Sequence, residues 1–195
     1  MAKPETLPRE LWNVLTTARP REPVVVVLAG LPGLGKSTAA DWLRKGSGRA
    51  AVMESDQIWE LVCPYGYDRN FGATGYLVMT TLAGAWLGQG IDVIVDSTAV
   101  TVKHRRRFVD VTATVAGFGA PPRIGPARAY CLFFPPDVAE SIRRRSGVSN
   151  VRMLDHGLKD ERVPEASIRS MAERWEAPSV DEGFDAVFEM PPVGS

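Results

Sequence analysis

The chain predicts an α/β domain of three layers, with a mainly parallel five-stranded sheet between helices. Three observations predict it. Short apolar runs rich in β-branched residues alternate along the chain with stretches whose apolar residues recur at helical spacing. The first such run, Val24 to Ala29, is apolar at every position, as a strand buried on both faces must be. It leads directly into Gly30-Leu31-Pro32-Gly33-Leu34-Gly35-Lys36-Ser37-Thr38, which fits G-x-x-x-x-G-K-[ST] and opens a helical stretch. Strand, glycine loop and helix in that order form the phosphate-binding unit of a P-loop NTPase-type sandwich. The expectation is one such domain over residues 24–195, with an N-terminal extension, 1–23, packed on it and a helical lid at about 146–162.

Taken in order, residues 1–23 are polar and proline-punctuated, with one short amphipathic piece from Arg9 to Thr17. Ser37 to Lys45 is the helix after the glycine loop, broken at Gly46-Ser47-Gly48. Ala50 to Met53 is a second strand running into Glu54-Ser55-Asp56. Asp56 therefore lies at a strand's C-terminal end, the edge at which open α/β sheets bind ligands. Gln57 to Val62 reads as a short helix stopped by Cys63-Pro64, and Tyr65 to Asn70 as a loop. Thr74 to Gln89 carries Leu77, Val78, Thr81, Leu82 and Leu87 at helical spacing. Ile91 to Val95 is a third strand, closing on Asp96-Ser97-Thr98. Lys103 to Ala116 is a helix with a basic start, and Ala127 to Phe134 is a fourth strand. Pro135-Pro136-Asp137 opens a helix that ends in Arg143-Arg144-Arg145. Residues 146–162 are polar and charged and lack apolar periodicity, the character of a lid over a site. Pro164 to Trp175 is the last helix and Phe184 to Met190 the last strand.

Composition excludes several classes. Formal net charge is zero, so no whole-molecule basic field draws the chain to nucleic acid, and any such contact must come from local patches. The two cysteines, Cys63 and Cys131, form no C-x-x-C pair, which argues against a zinc site or a disulfide scaffold, and Cys131 sits in an apolar run as a core residue would. No run approaches the ~18 apolar residues of a membrane span, and the start has no apolar signal core. A cytoplasmic location without membrane contact is expected.

The chemistry centres on the glycine loop. Gly30, Leu31, Pro32, Gly33, Leu34, Gly35, Lys36, Ser37 and Thr38 are expected to hold the phosphates of a nucleotide, with backbone N–H groups turned onto the oxygens. Lys36 brings charge to the β- and γ-phosphates, and Ser37 offers a hydroxyl to Mg²⁺. Asp96, at the end of an apolar strand, fits a second Mg²⁺ contact, or else the cap of the helix that follows. Asp56 fits the group that accepts the proton of an attacking hydroxyl, or else the cap of the helix at Gln57. Charge develops during phosphoryl transfer, and Arg144, Arg152 and Arg162, in or beside the expected lid, are the candidates to stabilise it. Lys103 to Arg107 reads as a solvated face or as a local nucleic-acid patch, and His104 and His156 as ordinary surface.

These residues resemble the polynucleotide 5′-hydroxyl kinase family, the P-loop phosphotransferases that include the kinase half of nucleic-acid end-healing enzymes. Four stretches carry the resemblance: the loop from Gly30 to Thr38; Ser55-Asp56; Val93-Ile94-Val95-Asp96-Ser97-Thr98; and the tail from Arg162-Val163-Pro164 through Trp175-Glu176-Ala177-Pro178-Ser179-Val180-Asp181-Glu182-Gly183-Phe184. The resemblance implies that Asp56 is the general base, that Lys36 and Ser37 bind ATP and Mg²⁺, and that a lid arginine contacts the phosphates. It implies ATP as donor, in keeping with the absence of an N-K-x-D guanine motif. One departure touches the acceptor. The family carries an arginine three residues after the base, and here that position is Trp59, either a flat stacking face for the acceptor or the buried face of its helix. The expected activity is transfer of the γ-phosphate of ATP to an alcohol, with a nucleic-acid 5′-hydroxyl as leading acceptor. A small hydroxylated acceptor, such as a nucleoside-like compound or antibiotic, is the alternative, and a nucleotide-binding regulator without a transfer substrate is a third reading.

Overall fold

A computed structural model of the chain describes residues 6–17, 22–63, 72–114, 127–145, 151–154, 157–160 and 163–190. The elements, in chain order, begin with α1 (Arg9–Thr16), β1 (Val24–Ala29), α2 (Lys36–Ser47), β2 (Ala50–Glu54), α3 (Ser55–Val62) and α4 (Gly72–Gly88). They continue with β3 (Asp92–Asp96), α5 (Val102–Thr114), β4 (Arg128–Phe133), α6 (Val138–Arg145), β5 (Val151–Leu154), β6 (Gly157–Asp160), α7 (Glu165–Glu173) and β7 (Ala186–Glu189). A 3₁₀ turn, Val180–Glu182, precedes the last strand.

Five strands form one sheet in the order β2-β3-β1-β4-β7, and every pairing is parallel. The sequence pattern follows from this order. The central strands β1 and β3 are buried along their whole length, so both faces must be apolar, whereas β2 lies at an edge and buries only Met53. Val24, Val26 and Leu28 face one layer with Ile94 and Leu132, under Leu11 and Leu15 of α1, Ala39 and Leu43 of α2, and Ile168 of α7. Val25 and Val27 face the other with Val93 and Val95, under Met79, Ala83 and Leu87 of α4 and Phe108 of α5. Asp92 opens β3 fully buried, and this position is satisfied: its carboxylate accepts the Val24 N–H at 3.0 Å and the Ser47 hydroxyl at 2.9 Å.

Parallel strands place their C-terminal ends along one edge. The glycine loop leaves β1 there, α3 leaves β2, the turn to α5 leaves β3, and Phe134 follows β4. Register puts Leu28, Asp96 and Glu54 side by side on neighbouring strands of that edge. The helical lid expected at 146–162 is corrected in part. Val151–Leu154 and Gly157–Asp160 pair as an antiparallel two-stranded hairpin, Val151 opposite Asp160. The stretch lacks apolar residues at helical spacing, so a helix there has no face to bury, and its two four-residue runs flank Asp155-His156, with Gly157 opening the second, a sequence of turn composition. Residues 146–150, 155–156 and 161–162 lie outside the described residues.

Candidate active site

The glycine loop is held at its root and from above. At its root the Gly30 N–H donates to the Thr98 carbonyl at 2.9 Å, and the Phe134 N–H donates to the Ala29 carbonyl at 2.8 Å. From above, α6 closes on it: the Ser141 hydroxyl donates to the Pro32 carbonyl at 2.7 Å, and Nη1 of Arg144 donates to the Gly33 carbonyl at 3.2 Å. Gly33 has φ +79°, and a Cβ there would lie 2.9 Å from Cγ of Arg145. Only glycine meets both the backbone and the space requirement.

Lys36 is the first residue of α2, and the first turn of that helix carries no acidic residue. The positive helix end therefore has no built-in carboxylate and is available to an anion. Lys36 is 7% exposed, and its ammonium donates to the Leu31 carbonyl at 2.8 Å. Burial pulls its pKa down to about 8, Asp96 opposes this, Arg145 adds to it and Asp56 opposes it. Asp96 is 8% exposed. Burial raises its pKa, while a hydrogen bond with the Ser37 hydroxyl and the charge of Lys36 pull it back. Ser37 and Asp96, with Asp41, Arg44 and Glu54, line a cavity of about 190 Å³ beside the edge strand. Asp56 sits exposed in the first turn of α3 and lies within electrostatic reach of both Lys36 and Asp96.

The oxygen donors of Ser37 and Asp96 suit a hard cation such as Mg²⁺, which takes few protein ligands and keeps waters and phosphate oxygens. Among the described residues no three His, Cys, Asp or Glu side chains are grouped for a metal, so such an ion would depend on the nucleotide for the rest of its shell.

The arginines sort differently from the expectation. Arg144 is engaged: its Nε donates to Glu140 at 2.5 Å while Nη1 holds the Gly33 carbonyl. Arg145 is the neighbour whose charge acts on both Lys36 and Asp96, and its Nε is buried with no hydrogen-bond partner among the described residues. Sequence reasoning passed over it, although Ser141 and Arg145 fall four residues apart on the helix face that meets the loop. Arg152 lies in β5 opposite Lys159, and Arg162 lies outside the described residues.

Trp59 packs against α4, with its ring where a Cβ on Gly75 would come within 2.2 Å, and meets the Tyr76 ring edge-on at 5.9 Å. Tyr76 stacks on His104 at 5.3 Å and carries the Arg107 guanidinium 3.9 Å from its ring centre. The basic start of α5 is thus only partly a solvated face. Arg106 is exposed and Arg107 and His104 are half-buried, but Arg105 is fully buried and paired with Glu182. Burial and the charges of Arg107, Arg174, Lys103 and Arg105 hold the His104 pKa below its usual range.

Comparison with known proteins places this geometry. The sequence model of a family described as AAA domain matches residues 25–178. Comparison with curated proteins gives no match. Among solved structures the chain is similar to a gluconokinase from Sinorhizobium meliloti 1021, with 16% identity, a TM-score of 0.54, and coverage of 87% of this chain and 83% of that one. It is similar to a chain of the Pnkp1/Rnl/Hen1 RNA repair complex, with 18% identity and a TM-score of 0.57, over 81% of this chain and 45% of that one. It is also similar to Kti12 of Chaetomium thermophilum in complex with ADP-AlF3, with 16% identity, a TM-score of 0.57, and coverage of 85% and 87%. At these identities the likeness is one of fold. That fold is an α/β P-loop kinase fold, and it implies nucleotide binding.

Proposed function

The chain belongs to the AAA domain family matched over residues 25–178, and from that premise we propose that it is an ATP- and Mg²⁺-dependent kinase that transfers the γ-phosphate to an alcohol, with a nucleic-acid 5′-hydroxyl as leading acceptor. The observation that supports transfer over simple nucleotide binding is Asp56. An exposed carboxylate at the ligand edge, within electrostatic reach of Lys36 and Asp96, is placed to take a proton from a hydroxyl that enters beside the phosphate loop.

In this reading Lys36 leaves the Leu31 carbonyl for the phosphates, and the loop amides from Gly33 to Thr38 cradle them. Arg145 meets the charge on the transferring group, while Arg144 fixes α6 to the loop. Arg152 and Arg162 remain proposed as further lid cations. Asp56 accepts the acceptor's proton as its oxygen bonds to the γ-phosphorus and the bond to ADP breaks. Mg²⁺, when bound, neutralises phosphate charge, and Ser37 and Asp96 would hold it.

A second reading is a small hydroxylated acceptor. It draws on the similarity in fold to a gluconokinase, over 87% of this chain. The test is transfer from radiolabelled ATP to 5′-hydroxyl DNA, 5′-hydroxyl RNA, nucleosides and hydroxylated antibiotics, with Asp56→Asn beside the unaltered protein. Label on the oligonucleotides, with kcat lowered roughly 10²–10⁴-fold in the variant and little change in ATP affinity, is the expected result. Label on small compounds alone overturns the leading acceptor, and normal kcat in Asp56→Asn overturns the base.

A further inference from the structure

The turn between β3 and α5 is held from three sides. Its Thr98 carbonyl accepts the Gly30 N–H at the root of the glycine loop. Its Val100 carbonyl accepts the Glu176 N–H at 2.9 Å, and the Val102 N–H donates to the Glu176 carboxylate at 2.5 Å. Its Ala99 carbonyl accepts Nη1 of Arg105 at 3.0 Å. The rest of that guanidinium is bound in bidentate fashion, Nε and Nη2 each 2.7 Å from an oxygen of Glu182. Glu182 is fixed in turn, because one of its oxygens also accepts the Ser179 N–H at 3.1 Å in a capping box.

Two features mark this as more than packing. Arg105 is 0% exposed, a costly place for a guanidinium unless every donor has a partner, and its one bond outside the pair is spent on a single backbone carbonyl. That carbonyl belongs to Ala99, the one non-glycine residue with positive φ (+40°) among the described residues. A side chain held in that region stays only where its surroundings over-determine it. Three residues upstream, at the end of β3 where the turn begins, Asp96 meets the Ser37 hydroxyl.

We propose that Arg105 is a positioning residue for the metal edge of the nucleotide site. Clamped by Glu182, it holds the Ala99 turn in its strained form, and the turn fixes where Asp96 stands against Ser37 and where Thr98 meets the root of the loop. The C-terminal tail thereby sets how strongly Mg²⁺ supports nucleotide binding. This rests on the nucleotide-site reading above, and it assigns Arg105 no contact with the nucleotide.

The test is ADP affinity with and without Mg²⁺, melting temperature, and amide exchange at Gly30 in the nucleotide-free protein, for Arg105→Lys and Glu182→Gln. Each variant is also made with Ala99→Gly. A lysine cannot bind both Glu182 and the Ala99 carbonyl as the fork does. The expected result is that Mg²⁺ enhancement of ADP affinity falls about 10-fold or more, the size seen when a residue orienting a metal ligand is lost, while metal-free affinity holds. Gly30 should lose exchange protection. Ala99→Gly, which adopts positive φ without strain, should restore both the enhancement and the protection without restoring the melting temperature. A structural role alone predicts a lower melting temperature with no rescue by glycine. Equal losses of metal-free and Mg²⁺-supported affinity, or an unchanged Mg²⁺ enhancement in a folded variant, overturn the proposal. Gly30 exchange decides it even if the unaltered chain binds no ADP, an outcome that would sink the nucleotide reading by itself.

Discussion

Lys36 offers a prediction that reports on the site without any acceptor. With its pKa pulled to about 8 by burial, the free protein holds this side chain about half neutral near pH 8. Bound phosphates supply the opposite charge that the empty cradle lacks, so nucleotide binding returns the proton. For a pKa of 8 in the free protein, the uptake per ADP is about 0.1 at pH 7 and about 0.9 at pH 9. ADP affinity should fall about 10-fold over the same interval, as the protonated fraction does. The assay is calorimetric titration in two buffers of different ionisation enthalpy at each pH, which gives protons exchanged directly. Lys36→Arg keeps a cation that does not deprotonate in this range, so it should show no uptake at whatever affinity remains. The same shift has a sign for stability. Between about pH 8 and pH 10.5 the unfolded chain holds a proton on Lys36 that the folded chain has lost, so stability of the nucleotide-free protein rises with pH across that window, by up to about 3 kcal/mol from this group. Uptake that is flat across pH 7–9, or equal in Lys36→Arg, would refute the assignment of a buried, deprotonating lysine beneath the phosphates.

Arg145→Gln should lower kcat by about 10²-fold with modest change in ADP affinity, whereas Arg144→Gln should act mainly by loosening α6 from the loop; equal kinetic effects in steady-state assays would refute the division of labour. Leu at position 75 would have to displace the Trp59 ring, so Gly75→Leu should destabilise by about 1–3 kcal/mol in denaturant unfolding, and an unchanged midpoint would count against the packing described here. Burial pushes the Cys131 thiol up to about 12, so it should resist alkylation in the folded protein at pH 8 and react only on unfolding; labelling at the rate of a free thiol would contradict its buried place in β4 beside β1. If the acceptor is a single-stranded oligonucleotide gripped by the basic start of α5, log K against log salt should slope by about −0.7 per neutralised phosphate, and Arg106→Gln together with Arg107→Gln should flatten it; a slope already flat in the unaltered protein would refute that grip.

The parts legible in the sequence are those in which a local pattern carries its own reason. Val24–Ala29 could be read as a central strand because burial on both faces demands an unbroken apolar run, and residues 30–35 as the loop from that strand into a helix because the glycines, lysine and serine fit one motif. Asp96 and Ser37 could be picked out for the same reason, one at the end of such a run and one in the motif, and the structure brings the two side chains together. What was not legible depends on partners distant in sequence. Nothing near Arg105 distinguishes it from Lys103, Arg106 or Arg107; only the tail, folding back to bring Glu182 77 residues later, turns one of four cations into a buried clamp, while Lys103 and Arg106 stay exposed and Arg107 lies half-buried over Tyr76. Arg144 and Arg145 differ in the same way. They are adjacent and chemically identical, and their roles separate because Glu140, one helical turn earlier, and the Gly33 carbonyl take one guanidinium while the helix turns the other toward Lys36 and Asp96. The hairpin at 151–160 was missed because a polar segment was given a helix by default, where two short runs around a turn sequence favoured a strand pair. A motif, then, marks the loop, but which charges gather beside it, and how the turn after β3 is held, are set by contacts that exist only once the chain has closed.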